Sequence, residues 1–302
     1  MELCTTVNIA GVELKNPVMT ASGTFGSGAE YGEFVDLNML GAVVTKGVAN
    51  VPWPGNPTPR IAETYGGMIN AIGLQNPGID VFCKRDIPFL RKYDTKIIVN
   101  VCGKTEEDYV EVVERLADEP VDMLEINISC PNVKEGGIAF GQNPDSVEHI
   151  TSGLKKHAKQ PVIMKLSPNV TDITVMAKAA EAGGADAISL INTLTGMKID
   201  VNRRTFAVAN KTGGLSGPAI KPVAVRMVYQ AAHAVKIPVI GMGGIMNAED
   251  ALEFIMAGAT AVSIGTANFH NPYTTIEVLE GIKAYMEKNK VNDIKELIGC
   301  VH

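Results

Sequence analysis

Two lysines stand inside runs of apolar residues: Lys46 in Val43-Val-Thr-Lys-Gly47 and Lys165 in Val162-Ile-Met-Lys-Leu-Ser167. An ammonium in such a place is costly unless it is paired or functional. Asn100, Asn127 and Asn192 sit at the ends of three further apolar runs. Each carboxamide offers donors and an acceptor in one plane. One such lysine reads equally well as a residue emerging at the solvent edge. Two lysines with three asparagines favour a site for a planar, polar, anionic ligand. Cys130 follows in Asn127-Ile-Ser-Cys-Pro-Asn132, just past one of these runs and ahead of the glycine-bearing stretch Val133–Phe140. As a thiolate it can serve as a general base or as a nucleophile. Most cysteines are inert packing residues, and Cys102 reads that way. His149, His157 and His233 fall in helical patterns and read as surface or packing residues, so a Cys–His pair has no support. Gly241-Met-Gly-Gly-Ile245 and Ile264-Gly-Thr266 add a third chemistry. Glycines let backbone N–H groups approach a phosphate, and the start of a helix adds its positive dipole end. Neither stretch is the GxGxxG fingerprint of a dinucleotide fold.

The elements that must carry these residues recur along the chain. Short apolar, β-branched runs cover Pro17–Ser22, Ala42–Gly47, Lys96–Cys102, Met123–Ser129, Pro161–Ser167, Ala187–Thr193, Pro238–Gly244 and Ala261–Thr266. Eight near-continuous apolar strands, each followed by a helical pattern, predict a parallel sheet buried on both faces. Eight is the number that closes a (β/α)8 barrel of the TIM type, an α/β fold whose chemistry gathers at the C-terminal strand ends. The candidate residues lie at those ends. The two glycine stretches follow strands seven and eight, where barrels commonly hold phosphate.

Helix signals agree. Thr105-Glu-Glu-Asp108 is a capping box, with Tyr109, Val112, Val113 and Leu116 on one face. Asn247 opens another helix, with Ala248, Ala251, Leu252 and Ile255 inward and Gly258 as its C-terminal stop. Thr171–Glu181 and Pro218–Val235 behave similarly. Val7–Leu14 predicts a small hairpin ahead of the first strand. Val48–Asn76, with four prolines, and Leu194–Gly217 read as long rim loops on the catalytic face. No linker or composition shift divides residues 1–302, which predicts a single domain.

Composition excludes several classes. At 302 residues with 46% hydrophobic and 20% charged, the chain is neither disordered nor short of a core. A net charge of −6 leaves no basic footprint for nucleic acid. No apolar run approaches the ~18 residues of a membrane span, and the N-terminus lacks a signal-peptide pattern, so neither membrane nor export is expected. The five cysteines are odd in number and form no CxxC. Disulfides, a zinc site and an iron–sulfur cluster are therefore not expected, and a reducing cytoplasmic setting is.

Taken together, Lys15-Asn-Pro-Val-Met19, Ala21-Ser-Gly-Thr24, Thr45-Lys-Gly47, Asn70-Ala-Ile-Gly-Leu-Gln-Asn-Pro-Gly78, Asn127–Asn132 and Gly241–Ile245 resemble the class 1 dihydroorotate dehydrogenases over essentially the whole chain. Ala209–Pro222 looks like the NAD-linked subclass 1B. The resemblance implies a tightly held FMN lined by Ser22, Lys46, Gly47, Asn100, Asn127, Lys165, Ile191, Gly217, Gly243, Gly244, Gly265 and Thr266. It implies a substrate site of Lys46, Asn70, Ala71, Ile72, Gly73, Leu74, Asn127, Asn132, Asn192 and Thr193. Cys130 would take a proton from C5 of dihydroorotate while hydride passes from C6 to the flavin, and Lys165 would stabilise the charge building on the reduced flavin. Class 2 enzymes use serine in place of Cys130 and carry a membrane-associating extension that this chain is expected to lack. Subclass 1B also implies an accessory subunit with FAD and a [2Fe–2S] cluster that delivers electrons to NAD+, on a homodimer core within a heterotetramer.

Four alternatives stand beside this. They are a fumarate-linked class 1A enzyme, another FMN barrel acting on pyrimidines, a phosphosugar isomerase or lyase without flavin, and a non-catalytic scaffold. The acceptor, the reaction product, the flavin absorbance and a Cys130→Ala variant separate them in turn.

Overall fold

All eight apolar runs become parallel strands in the computed structural model, which describes residues 3–129 and 138–301. The strands are β1 (Val18–Thr20), β2 (Ala42–Val44), β3 (Lys96–Val101), β4 (Met123–Asn127), β5 (Val162–Lys165), β6 (Ala187–Leu190), β7 (Val239–Met242) and β8 (Ala261–Ile264). Each pairs with its neighbours in sequence, and β8 closes on β1. Apart from the half-buried Lys96 that opens β3, every residue in these strands is buried, as expected for a sheet covered on both faces.

The register sets up the site. Asn100 of β3 lies opposite Glu125 of β4, Asn127 of β4 opposite Lys165 of β5, and Lys165 opposite Ser189 of β6. Polar side chains thus gather on one sector of the barrel interior, and aliphatic residues fill the rest.

The helices start where the sequence signals them. Thr105 caps Glu106–Leu116 through a reciprocal capping box with Asp108, and Tyr109, Val112, Val113 and Leu116 are buried. Such a cap contributes about 1 kcal/mol. Asn247 caps Ala248–Met256, and Gly258 follows its end with φ +116°. The N-terminal hairpin pairs Val7–Ile9 with Val12–Leu14 and buries Val7, Ile9 and Leu14 in the main core.

The two long connections are more ordered than rim loops. Ile61–Thr64 and Gly67–Asn70 form a hairpin in the first, and Leu194–Met197 and Thr212–Ser216 are strands in the second. Together they make one four-stranded antiparallel sheet over the C-terminal mouth of the barrel. The join is the pairing of Thr212–Ser216 with Gly67–Asn70, so segments about 145 residues apart in sequence share a sheet. Among the described residues, no helix is long and apolar enough to cross a membrane.

Cysteine environments differ. Cys4 and Cys300 are exposed, Cys102 is buried against Ala49 and Trp53, and Cys83 is half-buried. Burial, then the nearby Glu119 carboxylate, pushes the Cys83 thiol up to about 11. Only the thiolate is nucleophilic. Near pH 8, iodoacetamide is therefore expected to alkylate Cys83 roughly 100-fold more slowly than an ordinary exposed thiol, with Cys4 and Cys300 modified first. Peptide mass mapping over time checks this, and equal rates at Cys83 and Cys300 would contradict it.

Candidate active site

A cavity of about 370 Å³ opens at the C-terminal ends of the strands, beneath the antiparallel sheet. That size suits a bound small molecule. Its wall brings together Ser22, Lys46, Gly47, Asn70, Ile72, Gly73, Leu74, Asn127, Lys165, Ile191, Asn192, Thr193, Gly217, Gly243, Gly244, Gly265 and Thr266. Two predicted residues do not reach the wall. Asn100 is fully buried behind it, because its Nδ2 donates to Glu125 Oε2 at 2.6 Å and its Oδ1 accepts from Asn127. Ala71 is fully buried beside Ile69 and Val208. Cys130 and Asn132 lie outside the described residues.

One side of the cavity is polar and cationic. Lys165 is 4% exposed, and its Nζ is 3.7 Å from Glu125 Oε2. Asn127 is held from three directions. Its Nδ2 donates to Asn100 Oδ1 at 3.2 Å, and its Oδ1 accepts from the Ser129 hydroxyl and backbone N–H. Asn192 Nδ2 donates to Ser129 Oγ at 2.8 Å. Asparagine rotamers fixed in this way present a preorganised set of donors and acceptors. Lys46 contributes a second ammonium next to Gly23, and its backbone N–H donates to Gly26.

The other side is built from backbone. The N–H groups of Gly243, Gly244, Gly265 and Thr266 donate to no acceptor among the described residues. Buried Ser263 Oγ also lines the cavity without a partner. Four half-buried N–H groups and one buried hydroxyl converge on the same end of the cavity, a cluster suited to an anionic group with several acceptor oxygens. Thr266 Oγ1 donates to Ser216 Oγ at 2.8 Å, which ties this end to the antiparallel sheet. The residues present thus fit FMN at both ends: a cation and asparagines for the ring, and unpaired N–H groups for its phosphate. No cluster of three or more His, Cys, Asp or Glu side chains placed to hold a metal occurs among the described residues.

Glycine is required at Gly244. Its φ is +84°, and a Cβ there would lie 2.9 Å from the Gly217 carbonyl oxygen and 2.8 Å from Lys221 Cβ. Gly244→Val is therefore expected to lower the flavin content of purified protein at least ~10-fold through backbone strain and displacement of the N–H cluster. The flavin-to-protein absorbance ratio checks this, and an unchanged ratio would place the phosphate elsewhere.

The chain matches the profile of the dihydroorotate dehydrogenases over residues 4–286. It is 74% identical over 297 residues to the catalytic subunit of dihydroorotate dehydrogenase B (NAD(+)) of Lachnoclostridium phytofermentans, covering 98% of this chain and 99% of that one. The chain belongs to the dihydroorotate dehydrogenase family. A second relative of the same description, from Alkaliphilus metalliredigens, is 69% identical over 98% of both chains. Among solved structures, the dihydroorotate dehydrogenase of Eimeria tenella in complex with ferulenol superposes with a TM-score of 0.82. It is 24% identical and covers 98% of this chain and 88% of that one, a likeness that speaks for the barrel fold alone.

Several cavity residues carry no mark in the strand-end reading. Met68 and Ser216 come from the antiparallel sheet, and Thr24 from the loop after β1. Arg60 and Gln75 also line the cavity and bond to each other, Arg60 donating from Nη2 to Gln75 Oε1 at 2.5 Å. Apart from Thr24, these positions depend on the long connections folding back over the barrel, which local pattern does not report. Glu125 is different, since a carboxylate inside the apolar run Met123–Ser129 carries the same signal as the two lysines.

Proposed function

We propose that this chain is the FMN-holding catalytic subunit of an NAD-linked dihydroorotate dehydrogenase, oxidising dihydroorotate to orotate in pyrimidine biosynthesis. The observation that carries the reading is the division of one cavity into a buried lysine flanked by fixed asparagines and a cluster of unpaired backbone N–H groups. FMN bound there supplies the acceptor for the hydride leaving the substrate. The chain's own residues do the rest. Asn127 and Asn192, locked through Ser129, orient the planar pyrimidine, with Asn70, Asn132 and Thr193 completing its contacts. Lys46 offsets the charge of the substrate carboxylate. Lys165 provides a fixed cation where negative charge builds, in a site shielded from water. Cys130 removes the C5 proton as general base.

Electrons leave through a second subunit carrying FAD and a [2Fe–2S] cluster and reach NAD+. The subunit descriptions of the 74% and 69% identical relatives support this acceptor over fumarate. A homodimer core within a heterotetramer, in the cytoplasm, completes the proposal.

The test is an anaerobic titration of the purified chain with dihydroorotate while its flavin absorbance is followed. Stoichiometric bleaching, with orotate as product and little NAD+ reduction until the second subunit is added, is the expected result. No flavin, no bleaching, or full-rate NAD+ reduction by the chain alone would each overturn part of the reading.

A further inference from the structure

Glu125 is 2% exposed and lies beside Lys165 in the barrel interior, outside the cavity wall. Three donors surround its carboxyl. Asn100 Nδ2 is 2.6 Å from Oε2, Ser189 Oγ is 2.7 Å from Oε1, and Lys165 Nζ is 3.7 Å from Oε2. An ionised carboxylate only accepts, and every partner here donates. The lysine stands beyond hydrogen-bond distance, so its charge is paired while its N–H groups remain available to the cavity. Asn100 extends the same anchor to Asn127, and Ser129 extends it to Asn192. One buried carboxylate thus braces the ligand-facing lysine and two ligand-facing asparagines.

We infer that Glu125 is a positioning residue that sets the net charge Lys165 presents to the bound flavin, and thereby holds the flavin's reduction potential down. The inference rests on the FMN reading above. A negative charge 3.7 Å from the ammonium cancels much of its field. Salt does not screen that cancellation in the interior as it would at the surface. With Glu125 neutral, the full charge of Lys165 favours the more negative state of the flavin, which is the reduced one. The potential then rises, since local charge is one of the protein's means of tuning a redox centre. A potential that is too high would hold electrons that must pass to another carrier.

Glu125→Gln removes the charge at nearly constant shape. Glu125→Asp keeps it, one carbon further from Lys165. Both are compared with wild type as holoenzymes, by equilibrating the bound flavin with reference dyes and by bleaching with dihydroorotate. Glu125→Gln is expected to raise the reduced-to-oxidised ratio at a fixed potential about tenfold, equivalent to about 30 mV for a two-electron couple. Glu125→Asp should shift it in the same direction but less. A merely structural role predicts lower melting temperatures and an unmoved ratio, and that result overturns the inference. If the glutamine variant is insoluble, the aspartate variant decides: a small upward shift supports the inference and none overturns it. A flavin bleached by dihydroorotate with an unshifted ratio removes the role of Glu125 and leaves the functional reading. A flavin that shifts as expected but resists dihydroorotate removes the substrate and leaves Glu125. A chain that takes up no flavin overturns both.

Discussion

Lys165→Met is expected to slow flavin reduction by dihydroorotate by ~10²–10³-fold, the usual effect of removing one preorganised charge-stabilising group. The side chain is buried at the end of β5, and its Nζ is the only ammonium within ion-pair distance of Glu125 among the described residues. Methionine matches its length and removes its charge. The loss therefore falls on the charge that develops during the reaction rather than on packing. The same substitution strands Glu125, and losing one partner of a buried pair typically costs about 3–5 kcal/mol of stability. A reduced rate alone therefore does not distinguish lost charge stabilisation from partial unfolding. The double variant Lys165→Met, Glu125→Gln separates the two effects: its melting temperature should recover toward wild type, while the reduction rate stays low. Stopped-flow absorbance and thermal melts on the three proteins check this. A double variant that regains rate with stability would reduce Lys165 to a structural residue.

The barrel was legible because each strand is short, apolar and buried on both faces, a pattern that survives without tertiary information. The strand-end residues were legible for a related reason. A lysine such as Lys165 within an apolar run must be paired or at work, and here it is close to Glu125 and faces a cavity. Glu125 carries the same kind of mark in its own strand, and its role emerges only from the partners that the register places around it. Asn100 shows the limit of reading by strand end. It has the right type and place, but its amide is spent on Glu125 and Asn127 just behind the wall, which its place at a strand end does not report. The antiparallel sheet was not legible as a sheet. Its strands are short, mixed in polarity and interrupted by glycine, and their pairing joins Gly67–Asn70 to Thr212–Ser216. Such pairing depends on the barrel bringing two distant connections to one rim, a long-range contact that no local periodicity encodes.

Cys130→Ala is expected to leave the flavin bound and to cut the half-reaction with dihydroorotate by ~10²–10⁴-fold, the usual contribution of a general base. The residue before Cys130, Ser129, is fully buried and fixed by Asn127 and Asn192. The preceding residue to face the cavity is Asn127 itself, so the chain is anchored at the cavity wall up to the position before the thiol. The pH dependence separates a base from a binding residue. If the thiolate is the active form, the rate rises as pH passes through the thiol's pKa, ordinarily ~8.5, and levels off above it. Alanine should abolish that rise along with most of the rate, while the dissociation constant for orotate changes little. Stopped-flow reduction from about pH 6 to about pH 10, with orotate binding read from the flavin spectrum, measures both. An alanine variant that keeps the wild-type pH profile within a few-fold of the wild-type rate would move the base to another residue. A variant that loses orotate binding instead would make Cys130 a contact rather than a base.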